Sequence, residues 1–114
     1  VGLLADQDAG AGGVFVDFLG RRASTYQGPA LFSLRTGAPI VPCFIIRSGP
    51  ERHRVRFETP IEAIPTGDEP ADIARITQAY TDVLARYITD YPDHWFWVHR
   101  RWKTPAPDDS NHEK

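Results

Sequence analysis

The sequence predicts an α/β domain, a mostly buried sheet with flanking helices. Three observations predict it. The apolar run Val1 to Ala5 stops abruptly at Asp6, as a buried strand does where it meets the edge of a sheet. Residues 40–47 (Ile-Val-Pro-Cys-Phe-Ile-Ile-Arg) are apolar almost throughout, the pattern of a strand covered on both faces. From Ala71 to Asp90, the side chains Ile73, Ile76, Tyr80, Val83, Leu84, Tyr87 and Ile88 recur at helical spacing and define one apolar stripe.

Taken in order, residues 1–6 form the first strand, whose end delivers Asp6, Gln7 and Asp8 into a crevice. Ligand sites of open α/β sheets sit at such strand ends. Gly10, Gly12 and Gly13 follow, where the chain turns sharply and approaches its surroundings closely. Residues 14–19 alternate weakly, with Val14, Val16 and Phe18 on one face, and read as a short strand or extended turn. Gly20 to Ser24 reads as a basic loop, with Ser24 or Thr25 available to cap a helix over 26–36. Pro29 suits the first turn of that helix, and Gly37 its C-terminal stop. Pro42 weakens the strand at 40–47, because proline donates no ladder hydrogen bond. Ser48 to Glu51 is a turn, 52–59 a strand near a sheet edge, and 65–70 a loop. Pro70 and Asp72 suit the start of the long helix and Pro92 its end; twenty residues make it about 30 Å long. From Thr104 no apolar residue exceeds alanine, so residues 1–103 are expected to form the domain and 104–114 a disordered tail.

The totals narrow the function classes. A chain of 114 residues is one domain or part of one, able to bury roughly 65% of its unfolded surface. A net charge of −2 gives no electrostatic footprint for nucleic acid. One cysteine excludes an internal disulfide framework and fits a reducing compartment. The apolar run at 38–46 is broken by two prolines and is far shorter than the ~20 residues of a membrane helix. A chain that opens inside an apolar strand, without an initiator methionine, reads as a piece of a longer one.

Several constellations carry possible chemistry. Asp6 and Asp8 are either a pair of site carboxylates or the ordinary turn chemistry of a strand end. As Asp-x-Asp they also match, weakly, the divalent-metal site of nucleotide-sugar glycosyltransferases. The glycine cluster lacks the third glycine of a dinucleotide loop and the Gly-Lys-Ser/Thr of a phosphate loop, so it reads as a turn. His53 and Glu58 match a His-x-x-x-x-Glu spacing, but a strand places residues five apart on opposite faces, and the match reads as accidental. Cys43, inside an apolar run, reads as an inert core thiol. The segment Asp93 to Lys103 mixes tryptophans with histidines, arginines and a lysine. It fits a membrane-interface anchor, an anionic head-group site using Arg100 and Arg101, or an arm that packs its tryptophans on the core and leaves its charges in water.

Five blocks stand in an order and spacing that resemble one family. They are Leu4-Ala5-Asp6-Gln7-Asp8, Gly13 to Gly20, Ala23-Ser24-Thr25 with Gly28-Pro29-Ala30, Leu34 to Pro42, and Trp97 to Lys103. The chain resembles the bacterial lipid A biosynthesis lauroyl/myristoyl acyltransferases, within the wider lysophospholipid acyltransferase-like group, over residues 1 to about 104. Leu19 departs from the pattern, standing where phenylalanine is commoner. The resemblance implies the C-terminal portion of an acyltransferase α/β domain. It implies an enzyme on the cytoplasmic face of the bacterial inner membrane, moving a fatty acyl chain from acyl carrier protein or a coenzyme A thioester to a hydroxyl of a glycolipid such as a lipid A precursor or a phosphatidylinositol mannoside. No metal, resident cofactor or nucleic acid is expected. The family's catalytic His-x-x-x-x-Asp/Glu is expected upstream of Val1, so no catalytic residue is assigned within this chain. Asp6, Gln7 and Asp8 are expected to shape the polar end of the substrate site, and Arg21, Arg22, Thr25 and Arg100 to grip anionic substrate groups. At least one of Arg21, Arg22 and Arg100 is expected within salt-bridge reach of Asp6 or Asp8. The alternatives are a metal-dependent glycosyltransferase and a non-enzymatic membrane-surface module built on residues 95–103.

Overall fold

The computed structural model describes residues 2–95 and 100–107. It contains two helices and two small antiparallel sheets, each of two strands. Strands β1 (Val14–Phe18) and β2 (Arg21–Thr25) form a hairpin with Val16 opposite Ala23 and Phe18 opposite Arg21. The expected basic loop is therefore a strand. Leu19 and Gly20, both at positive φ (51° and 86°), make the tight connection, which is the backbone hand a two-residue hairpin requires.

Helix α1 (Gly28–Thr36) starts with Pro29 in its first turn and ends where Gly37, at φ 79°, donates its N–H to the Ser33 carbonyl at 2.8 Å. Its N-cap is Gln27; Ser24 and Thr25 belong to β2 instead. Helix α2 (Glu69–Asp90) has 22 residues, about 33 Å at 1.5 Å per residue. Asp68 caps it by accepting from Ala71 N–H at 3.2 Å. The buried Asp72 ties the preceding loop down, accepting from Thr66 N–H at 2.8 Å and Thr66 Oγ1 at 2.7 Å.

The apolar stripe of α2 divides between two clusters. Ile73 and Ile76 join Ala30 of α1, with Val14, Leu34, Ile40 and Ile61 around them. Ile88 joins Phe18 and Ala23 of the hairpin, beneath Trp95 and Trp102. Gln78 of α2 holds the outer edge of β1 as a neighbouring strand would: its Oε1 accepts from Asp17 N–H and its Nε2 donates to the Asp17 carbonyl, both at 2.8 Å.

Strands β3 (Cys43–Gly49) and β4 (Arg52–Phe57) form the second hairpin, with Ile45 opposite Val55. Only one face is covered. Phe44 stacks on Tyr87 of α2 at 3.9 Å between centroids, and Ile46 is buried. Ile45, Val55 and Phe57 on the other face are 64%, 51% and 72% exposed, so the expected mostly buried sheet is not seen. Cys43, expected in the core, is exposed. Pro42 lies just before β3 rather than inside it.

Residues 2–6 form no strand. A strand needs ladder partners, and among the described residues none pairs with this segment; Leu4 is 91% exposed. Thr104 and Ala106, in the expected tail, are placed against the domain, Ala106 with no exposure; 108–114 lie outside the described residues. No helix among the described residues is long and apolar enough to cross a membrane.

Candidate functional site

The site begins at the glycine cluster. Gly10–Gly12 make one turn of 3₁₀ helix, with Gly10 at φ 68°. At Gly13 a Cβ would stand 2.2 Å from Ser24 Oγ and 2.6 Å from the Ala9 Cβ. Glycine is needed there for close approach to β2. Ser24 Oγ in turn donates to the Gly10 carbonyl at 2.6 Å, and Ala9 N–H to the Ser24 carbonyl at 3.3 Å. This lays the Asp8–Gly13 segment along the hairpin, with Asp8 bridging to Thr25.

Asp6 and Asp8 are both half-buried but meet different surroundings. Asp8 faces the C-terminal arm. Its Oδ2 accepts from Gly10 N–H at 2.9 Å and Thr104 Oγ1 at 2.8 Å, and its Oδ1 accepts from Thr104 N–H at 3.2 Å. Burial alone would raise its pKa; the hydrogen bonds from Thr104 and Gly10, with the Arg101 charge, outweigh that and hold it below the ordinary aspartate value. Asp6 lines a largely apolar trough of about 640 Å³, bounded also by Leu4, Phe32, Ile45, Leu84 and Trp95. The two carboxylates therefore do not share one strand face. Gln7, between them, is exposed.

Arg101 is a buried cation that feels the negative charge of both carboxylates. It is 1% exposed, its Nη1 donates to the Ser24 carbonyl at 2.5 Å and its Nη2 to Thr25 Oγ1 at 2.6 Å. Its guanidinium carbon lies 5.2 Å from the Phe18 ring centroid, within cation–π range. Burial pulls its pKa down, and the negative charges of Asp8 and Asp6 oppose that pull. Arg101 stays charged, since arginine starts from so high a value.

Of the predicted residues, the structure brings Asp8 and Thr25 together, while Asp6 lines the trough. Thr25 is fully buried and spends its hydroxyl on Arg101 and the Ala23 carbonyl. Arg21 and Arg22 lie at the far end of β2, three to four residues from Thr25, or about 10–13 Å along a strand. Arg22 donates to the Phe15 carbonyl at 3.3 Å, and Trp102 Nε1 donates to the Arg21 carbonyl at 3.3 Å. Arg100 is exposed. Sequence reasoning passed over Arg101 and Thr104 as structural partners. The available signal was the small inward residues Ala23 and Thr25, which leave room for one long side chain above Phe18.

The arm itself follows the packed reading for Trp95 and Trp102, whose rings lie 5.8 and 5.4 Å from Phe18. Arg101 departs from it, being buried rather than solvated; Phe96 to His99 lie outside the described residues. The His53/Glu58 spacing yields no pair. His53 sits on the outer face opposite Arg47, while Glu58 accepts from the Tyr87 hydroxyl and lies 3.4 Å from Arg86. No group of three His, Cys, Asp or Glu side chains suited to a metal ion occurs among the described residues, and both Asp8 oxygens are already taken by protein donors.

Residues 1–104 match the family described as bacterial lipid A biosynthesis acyltransferase. A phosphatidylinositol mannoside acyltransferase of Mycolicibacterium smegmatis is 30% identical over 107 residues, covering 94% of this chain and 33% of the relative. One from Mycobacterium tuberculosis is 31% identical over 103 residues, covering 88% of this chain and 30% of the relative. The chain thus spans about a third of the length of these curated relatives, and the match takes in the hairpins, both helices and the Arg101 corner. The chain belongs to the bacterial lipid A biosynthesis acyltransferase family.

Proposed function

We propose that the family-length protein transfers a fatty acyl chain from a thioester of acyl carrier protein or coenzyme A to a hydroxyl of an anionic glycolipid at the cytoplasmic face of a bacterial inner membrane. The observation that carries this reading is the family match across residues 1–104, which includes every element that builds the Asp6–Asp8 edge. The names of the mycobacterial relatives favour a phosphatidylinositol mannoside as acceptor; a lipid A precursor is the other acceptor in keeping with the family's description.

In such a reaction a base removes the proton of the acceptor hydroxyl as its oxygen attacks the thioester carbonyl, and the thiol departs. That base lies outside these residues, and no resident cofactor takes part. This chain supplies the polar wall. Asp6, which lines the apolar trough and whose charge acts on Arg101, would orient a sugar hydroxyl. The exposed Gln7, Arg21 and Arg100, with the half-buried Arg22 at the far end of β2, would meet anionic substrate groups away from this wall. Asp8 and Thr25 support this wall from behind by fixing the C-terminal arm.

The test is kinetic and uses the family-length enzyme. Asp6→Asn is expected to lower acyl transfer by about 10- to 100-fold, the scale of a misplaced reactant, while leaving the melting temperature nearly unchanged. Asp8→Asn is expected to lower stability first, because its carboxylate accepts three hydrogen bonds. An unchanged transfer rate in Asp6→Asn would refute the assignment of Asp6.

A further inference from the structure

Among the described residues, β3 has a neighbouring strand on one side only. In an antiparallel pair, residues alternate between those bonded to the partner and those whose N–H and C=O point away from it. Two hydrogen bonds fix the phase here. Glu58 N–H donates to the Pro42 carbonyl at 2.9 Å, one step beyond the Cys43–Phe57 pair, so Pro42, Phe44 and Ile46 belong to the bonded class. Arg47 N–H donates away from β4, to His94 Nε2 at 3.0 Å, so Cys43, Ile45 and Arg47 belong to the outward class.

His94 thus closes the free edge at Arg47, with its Nδ1 3.0 Å from Asp93 Oδ1. The register shift between Arg47 and Gly49 ends it beyond that point. Cys43 and Ile45 remain, presenting backbone groups along a strand that lines the apolar trough. Leu3 and Leu4 line the same trough, 51% and 91% exposed.

An open edge flanked by apolar side chains is a template for another strand. A hydrocarbon chain in the trough would cover the apolar side chains and leave the edge amides unpaired. An extended peptide satisfies both, since its main chain bonds to the edge and alternate side chains fill the groove. The length of the relatives supplies the peptide, because this chain spans about a third of them.

We infer that in the family-length protein an extended segment from outside residues 1–104, apolar at alternate positions, pairs with β3 at Cys43 and Ile45 and fills the trough. The inference rests on family membership and not on the reaction, so the Asp6→Asn rate and the test below fail independently.

The test is residue-resolved hydrogen exchange on the family-length protein without added ligand. The Cys43 and Ile45 amides are expected to exchange at least about 100-fold more slowly than unstructured rates, as do the ladder amides of Phe44 and Ile46. Free exchange at Cys43 and Ile45 with Phe44 and Ile46 protected overturns the inference. Protection that appears only with a fatty acyl thioester assigns the trough to the acyl chain and overturns it. Protection lost on dilution assigns the edge to a second copy and overturns it.

Discussion

The Arg101 corner makes a prediction in which two accounts of Thr25 rank two substitutions oppositely. Thr25 is fully buried, accepts from Arg101 Nη2 at 2.6 Å and donates to the Ala23 carbonyl at 3.0 Å. Thr25→Val keeps the volume and removes both hydrogen bonds. The bond to the charged guanidinium is worth about 1.5–3 kcal/mol and a neutral one about 0.5–1.5. Arg101 Nε already has no hydrogen-bond partner among the described residues, so the guanidinium has little slack. Thr25→Val is therefore expected to cost about 2–4 kcal/mol. Thr25→Ser keeps the hydroxyl and loses one methyl, about 0.8 kcal/mol. If Thr25 served packing alone, the order would reverse, because valine conserves volume and serine does not. Urea denaturation followed by tryptophan fluorescence reads the difference, since Trp95 and Trp102 both lie against Phe18. The comparison holds where the m-value is unchanged. A Thr25→Val cost equal to or below that of Thr25→Ser would refute the role given to the hydroxyl.

Two further outcomes are expected. Ile76→Ala should cost about 2–5 kcal/mol, because Ile76 is 2% exposed at the centre of the α1–α2 cluster. Arg75→Ala, at an exposed position with a 3.3 Å pair to Asp72, should cost about 0–1 kcal/mol; equal midpoints in a denaturation series would show the stripe misassigned. Acid should destabilise the fold. The Tyr87 hydroxyl holds Glu58 below its ordinary 4.5, Thr66 holds Asp72 below 3.8, and Asp8 is lowered against its burial by Thr104 and Gly10. A carboxylate whose pKa is depressed on folding contributes stability above its unfolded value, and loses it as pH falls through the folded value. Melting temperature should therefore decline below about pH 4.5, less steeply in Glu58→Gln; a profile flat to pH 3 would contradict these assignments.

Legibility in the sequence followed how local each cause was. Helix α2 was readable because its stripe, its proline and its end all lie within 25 residues. Helix α1 was readable from Pro29 and Gly37, and β1 from the alternation of Val14, Val16 and Phe18. Strand β2 was hidden because Arg21 and Arg22 resemble a solvated loop, and only pairing with Phe18 and Asp17 makes them a strand. Residues 2–6 misled in the opposite sense: an apolar run reads as a buried strand whether or not a partner strand lies beside it. At the candidate site, the sequence pointed to the Asp6–Asp8 edge with Arg21, Arg22 or Arg100 as its cation, and did not single out the buried Arg101, which feels both charges. Nothing local separates Arg100 from Arg101, since burial of one guanidinium depends on the shape of a hairpin some 77 residues earlier.

The corner also joins regions that the chain keeps far apart. Arg101 reaches Ser24 across 77 residues and Thr104 reaches Asp8 across 96, whereas each hairpin closes over a handful. Loop closure costs entropy before any contact repays it, and distant pairings form slowly. The hairpins and α2 can take shape as soon as they emerge. The corner that fixes Asp8 is completed only when Arg101 and Thr104 arrive, so a half-made chain holds its hairpins and α2 well before it holds that corner.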